Sequence, residues 1–289
     1  MISRMQEIKE GLTEAVRAVY PRFSVPFVIY SGSELISRII REWGWFSQND
    51  LRVYDTFLTE GDLFVDVGAN IGWYSVYASF LVGPKGSVIA IEPDPLHAQL
   101  LRKNGELSHL AQLEVVESAV GSRDAEVALY RCADNFGDHC LLARDDAFFP
   151  GREKVMVPMT TVDRIVSRRS RSPRLIKIDI QGAEGDLFAG MRAILNAPNK
   201  PIFIIEFSPG LMLRYGSSPF EMFAFIEKEG YIPFHSPGDH TDPRLRQLSV
   251  EDLLAFTRAF RDSEIGWDLL LVHRYAKADL LLCQNLMKA

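Results

Sequence analysis

The sequence predicts an α/β fold built on a mostly parallel sheet with helices on both faces. Three observations carry this. Short apolar runs recur: Leu63-Phe64-Val65-Asp66-Val67, Val88-Ile89-Ala90-Ile91, Leu113-Glu114-Val115-Val116, Leu175-Ile176-Lys177-Ile178-Asp179-Ile180 and Ile202-Phe203-Ile204-Ile205-Glu206-Phe207. Helical patterns over 71–81, 95–107 and 184–196 alternate with them. Strands apolar on both faces and separated by helices imply a parallel sheet covered on both sides. Finally, a glycine turn at Gly68 and Gly72 follows the first run and opens a helix.

The elements follow in order. Residues 1–58 read as a mostly helical N-terminal extension. Ile8, Leu12, Ala15, Val16 and Val19 recur at three- and four-residue steps. Pro21 and Pro26 interrupt the pattern, and Phe27-Val28-Ile29 reads as a short strand. A helix starts at Ser33-Glu34-Leu35-Ile36, places Ile36, Ile39 and Ile40 on one face, and ends at Gly44 between Trp43 and Trp45. Residues 59–289 carry the α/β pattern, with an insertion near 121–161 that breaks its rhythm. Extended pieces at 127–130 and 155–157 flank a loop rich in Asp, Cys, Phe and His, and a connection of that length tends to be functional. Helices over 219–228 and 251–261 and strands over 231–234 and 267–272 complete the chain.

Composition excludes several classes. With 289 residues, 47% of them hydrophobic, the chain buries a core without disulfides or metals as staples. A net charge of −6 gives no general attraction to phosphate backbones or anionic surfaces, so neither nucleic acid nor membrane is an expected partner. No run approaches the roughly 18 apolar residues of a membrane-spanning helix. Cys132, Cys140 and Cys283 are odd in number and form no CxxC pair, and the N-terminus lacks the apolar region of a signal peptide. A cytoplasmic protein with reduced thiols is therefore expected.

The motif Asp66-Val67-Gly68-Ala69-Asn70-Ile71-Gly72 has the strand–turn–helix context of a nucleotide-type turn. Gly68 permits a sharp turn and close approach of a ligand, and Gly72 permits tight packing of the helix. It is not GxGxxG, and Asp66 opens it. That carboxylate would repel a pyrophosphate and welcome an ammonium group, which argues against a nicotinamide dehydrogenase. Glu92 ends the next run about 20 residues on, where an acidic side chain accepts hydrogen bonds from ribose hydroxyls. Glu117-Ser118-Ala119-Val120 ends the third run, where an adenine would lie. A zwitterionic amino acid, a ribose and an adenine together describe S-adenosylmethionine.

DVGANIGWYS, VIAIEPDP, TTVDRIV, LIKIDIQGAEGDLFAGM and IFIIEF resemble the FkbM-type S-adenosylmethionine-dependent methyltransferases. The resemblance runs from about Gly61 to Phe207, and more loosely to Val272. LIKIDIQGAE is its specific part. It implies a class I methyltransferase, Rossmann-like, with a seven-stranded sheet, and methyl transfer usually to a hydroxyl of a small molecule or sugar. Carried over by motif, Asp66, Gly68, Asn70, Glu92 and Ser118 would surround the cofactor, with Gly72 and Ala119 beside them.

Alternation along the strands puts Lys177 and Asp179 on one face, and likewise Ile204 and Glu206. Charged residues at the ends of apolar strands need partners or a function, and the ligand crevice lies outside those ends. Asp179 is the first choice as base or acceptor-binding residue, with Glu206, Glu184 and His139 as further candidates and Lys177 as charge partner. A structural role for Asp179, accepting amides of the turn at Gln181-Gly182-Ala183, competes with this. Glu184 reads more simply as a charge on a helix N-terminus. His240, in Asp239-His240-Thr241-Asp242, reads as an exposed turn. Asp179 with Glu206 would suit Mg²⁺, but the favoured reading needs no metal. The reading is an O-methyltransferase acting on a small-molecule natural product or sugar, with a homodimer possible. N-methylation of an amine or amide and a non-catalytic cofactor-binding module are the alternatives.

Overall fold

A computed structural model describes residues 13–32, 34–132, 140–141, 152–180, 182–214, 216–236, 244–263 and 265–288. The chain opens with a hairpin, β1 (Thr13–Val19) and β2 (Ser24–Tyr30), followed by α1 (Leu35–Trp43) and α2 (Gln48–Phe57). Strand and helix then alternate: β3 (Leu63–Val67), α3 (Trp73–Val82), β4 (Ser87–Ile91), α4 (Pro95–Leu107) and β5 (Leu113–Val116). The insertion supplies β6 (Ala119–Val120), β7 (Ala125–Arg131), β8 (Cys140–Leu141) and β9 (Glu153–Thr160). Next come α5 (Val162–Val166), β10 (Leu175–Ile178), α6 (Glu184–Ala189), α7 (Arg192–Asn196) and β11 (Ile202–Phe207). The last part holds α8 (Pro209–Arg214), α9 (Pro219–Glu229), β12 (Tyr231–Ser236), β13 (Arg246–Gln247), α10 (Val250–Phe260), β14 (Trp267–His273) and α11 (Lys277–Leu286).

The main sheet has the order β13-β12-β14-β11-β10-β3-β4-β5. Without the two-residue edge piece β13, seven strands remain, as expected for the α/β domain. β14 runs antiparallel to both its neighbours, β11 and β12. From β3 the chain first winds outward through β4 and β5, then returns to the other side with β10 and β11. That reversal, between β3 and β10, is a topological switch point, and the crevice outside the strand ends there is where ligands bind. Because β14 is antiparallel, its first residues lie at the same edge as the last residues of β10 and β11.

The N-terminal extension departs from the helical expectation. Residues 13–30 form an antiparallel hairpin, with Val16 opposite Phe27 and Ala18 opposite Val25. Glu14, Val16 and Ala18 are less exposed than Ala15, Arg17 and Val19, so the period is two. The three- and four-residue spacings mixed residues from both faces of a strand. Ile8 and Leu12 lie outside the described residues. The strand expected around Phe27 is present, and α1 ends at Gly44, which takes the left-handed conformation. Its N-terminus is capped by Glu34, whose carboxylate accepts from the Ile36 and Ser37 amides.

The hairpin is joined to the α/β domain by packing and by hydrogen bonds. Tyr20 stacks on Trp73 at 4.3 Å, and its hydroxyl donates to the Trp73 carbonyl. Asn104 of α4 accepts from the Val28 amide at 2.7 Å and donates to the Val28 carbonyl at 3.1 Å.

The helix expected over 184–196 breaks in two at Gly190. A Cβ there would stand 2.1 Å from the Gly121 carbonyl oxygen, so the close approach of the two chains requires glycine. The insertion folds as a second sheet of order β6-β9-β7-β8. Arg131 of β7 fastens it to the domain through two hydrogen bonds to Asp94, at 2.5 and 2.8 Å. His139 and His240 lie outside the described residues.

Candidate active site

A cavity lies at the switch point. Its walls include Gly68, Asn70, Glu92, Ser118, Ala119, Lys177, Asp179 and Glu206, and thus unite most of the residues singled out in the sequence. Gly68 has φ +80°, and a Cβ there would meet the Asp179 carbonyl oxygen at 1.9 Å. The turn is therefore wedged between the ends of β3 and β10. The Gly68 and Ala69 amides both donate to the Ile91 carbonyl at 3.0 Å, which closes the turn onto β4. Asn70 follows at φ +51°, a conformation asparagine tolerates better than most residues.

Two expected cofactor residues stand behind the wall instead of in it. Asp66 is fully buried and does not line the cavity; its Oδ2 accepts from Ser75 Oγ at 2.6 Å. Gly72 faces Leu101 of α4, where a Cβ would come within 2.1 Å of Cδ1. Both support the turn from beneath. Ser118 lines the cavity but gives its hydroxyl proton to backbone carbonyls, including that of Pro158 at 3.0 Å.

Glu92 is held by its surroundings. One oxygen accepts from the Asn70 amide at 2.8 Å and the other from the Asp94 amide at 2.9 Å. His97, which the sequence reading did not single out, approaches Glu92 at 3.6 Å and also lines the cavity. Burial disfavours its imidazolium, but the hydrogen bond to Glu92 and the charges of Glu92, Asp94 and Glu34 outweigh this and raise its proton affinity.

The other end of the cavity is acidic. Asp66 and Lys177 are partners in register on β3 and β10, and Glu206 and Asp268 on β11 and β14. Alternation along the strands puts these four side chains, with Asp179, on one face of the sheet. Lys177 Nζ donates to Asp179 Oδ2 at 2.7 Å and sits 4.9 Å from the centre of the Tyr74 ring. Burial opposes its charge, but Asp179, Asp66 and Asp268 outweigh that and push its proton affinity up. Burial raises the Glu206 carboxyl well above the ordinary range, and the neighbouring Asp179 charge and a hydrogen bond to Asp179 add to the effect. The Glu206 and Asp179 carboxyls are thus hydrogen-bonded to each other, a contact that requires one proton between the pair. The Gly182 amide of the following turn donates to Glu184 Oε1, and Glu184 is buried and not exposed at a helix end.

The N-terminal extension covers this face. Ile36 of α1, Phe46, Ser47 and Asp50 of α2 line the cavity, as do Trp73 and Tyr74 of α3. From the second sheet come Leu129 and Leu141. The sequence reading missed Asp50 and Asp268. Asp268 is an acid at the start of an apolar strand, and only the antiparallel pairing of that strand places it at the ligand edge. Among the described residues, no group of three or more His, Cys, Asp or Glu is arranged to hold a metal ion.

The profile of the FkbM methyltransferase domain matches residues 66–233, more than half of the chain. The chain belongs to the FkbM methyltransferase family. That membership places it among the S-adenosylmethionine-dependent methyltransferases. A probable cobalt-precorrin-6B C(15)-methyltransferase (decarboxylating) of Sulfolobus acidocaldarius is 33% identical over 119 residues, which cover 41% of this chain and 53% of that protein. Methyltransferase 1 of Beauveria bassiana is 28% identical over 158 residues, covering 48% of this chain and 63% of that protein. The chain thus spans less than two thirds of the length of these relatives. An O-methyltransferase structure from Thermotoga maritima superposes with a TM-score of 0.42 at 12% identity, over 93% of this chain and 80% of that one. No described helix is long and apolar enough to cross a membrane.

Proposed function

We propose that the chain transfers a methyl group from S-adenosylmethionine to a hydroxyl of a small molecule or sugar. The cavity suits the cofactor in its donor set. Glu92, fixed by two amides and open to the cavity, supports a role in accepting the ribose hydroxyls. Next to it, Ser118 and Ala119 with Leu129 and Leu141 offer an apolar slot for adenine. The acidic far end favours the cationic methionine part. When bound, S-adenosylmethionine supplies a methyl group on a good leaving group, so the protein's task is alignment and proton removal.

The observation that carries the choice of a hydroxyl is the ring of carboxyls around Lys177 at the acceptor end. An alcohol must lose a proton as its oxygen attacks, and carboxylates supply a base. An amine in the same surroundings would be held as ammonium and would have no lone pair to offer. N-methylation is therefore the weaker reading. Incubation with candidate alcohols and amines, followed by mass spectrometry, tests this. Gain of one methyl on hydroxylated acceptors is expected; gain confined to amines or to carbon overturns it.

A further inference from the structure

We propose that Asp268 is the base that takes the proton of the acceptor hydroxyl, and that Asp179 and Glu206 are structural carboxyls of the same pocket. The inference rests on the methyl-transfer reading above. Asp179, the first choice from the sequence, is committed to protein donors: Lys177 Nζ at 2.7 Å and the Glu206 carboxyl. Glu206 is hydrogen-bonded to Asp179, and that contact engages both carboxyls. Asp268 also lines the cavity, half-buried, at the start of β14. Among the described residues its carboxylate makes no hydrogen bond; it interacts with Lys177 and Asp179 only through their charges.

Position and ionisation agree. Asp268 lies opposite Glu206 of β11 and opposite Ser236 of β12. The groups that face it are Lys177 and Asp179 from β10 and its end, Glu206 from β11, Tyr54 from α2 and Tyr74 from α3. On the neighbouring position of β12, His235 packs on the Trp267 ring. Burial, with Asp179 adding to it and Lys177 opposing, pushes the Asp268 carboxyl up to about 6. It is thus ionised at neutral pH and more basic than an ordinary aspartate. In the step, the hydroxyl proton passes to an Asp268 oxygen. The electron pair left on the acceptor oxygen forms the new C–O bond, and the broken C–S pair stays on sulfur as neutral S-adenosylhomocysteine.

Two cofactor analogues test this without an acceptor. Sinefungin carries an ammonium group where S-adenosylmethionine carries its methyl, and S-adenosylhomocysteine carries nothing there. Calorimetry of the full chain should give a sinefungin-to-S-adenosylhomocysteine affinity ratio that rises as pH climbs through about 6. Asp268→Asn should lower that ratio by about tenfold and flatten its pH dependence, with S-adenosylhomocysteine affinity unchanged. Asp268→Glu should restore part of it. An unchanged ratio in Asp268→Asn, or a ratio that falls only in Asp179→Asn, overturns the proposal. Should Asp268→Asn fail to fold, a pH-independent ratio in the unsubstituted chain overturns it equally. A chain that binds neither analogue removes the methyltransferase reading itself, and this inference with it.

Discussion

Lys177 shows how a charged side chain is accommodated at the end of an apolar strand. It is 6% exposed, yet Asp66, Asp179 and Asp268 surround it and a tyrosine ring covers it. A buried cation with this many counter-charges is retained at a cost, since removing one partner leaves the others unpaired. Glu92 illustrates the opposite arrangement, a carboxylate oriented by amides. Replacing Glu92 by Ala should weaken S-adenosylmethionine by about 2–4 kcal/mol, from the loss of charge-assisted hydrogen bonds to the ribose. Calorimetric titration checks this, and equal affinity in the variant would remove Glu92 from the cofactor site. Glu92 was legible because a spacing from a glycine turn identifies it. Asp268 was not, because its meaning depends on β14 running against its neighbours, and no local feature of Trp267-Asp268 gives a strand's direction.

At the scale of elements, the repeating β and α units of the domain were readable because each is apolar along its whole length or on one face. α4 and β11 have the bounds the sequence suggested. The N-terminal hairpin was misread because alternate and helical spacings overlap in so short a segment, and tertiary pairing decided between them. α6 begins with a buried titratable carboxyl, that of Glu184. Glu184 is 1% exposed; Oε1 accepts the Gly182 amide, and among the described residues Oε2 has no hydrogen-bond partner. Burial pushes its carboxyl up to about 7, partly offset by backbone hydrogen bonds. The folded chain therefore holds this proton more tightly than the unfolded chain. Its contribution makes stability fall as pH rises from the ordinary value of 4.5 to about 7. Glu184→Gln should flatten that slope and raise the melting temperature at pH 8 relative to the parent, with little change near pH 4. Thermal unfolding across pH measures it, and parallel curves for parent and variant would contradict the assignment.

On the scale of the whole molecule, three parts converge on one cavity. The α/β domain supplies the switch point, the N-terminal extension roofs the acidic end, and the second sheet lines the Ser118 side through Leu129 and Leu141. The sequence leads one to expect that the extension and the insertion exceed a minimal domain and shape the acceptor pocket; the contacts that hold them there depend on long-range packing such as Tyr20 on Trp73 and Arg131 on Asp94. The net charge of −6 also has a local expression, since several of the acids gather around the cavity. The central claim is that this cavity takes S-adenosylmethionine, and calorimetric titration of the full chain with S-adenosylmethionine and, separately, NAD tests it most directly. Saturable binding of one S-adenosylmethionine per chain, with no heat from NAD, is the predicted result; no S-adenosylmethionine binding up to millimolar concentration would contradict it.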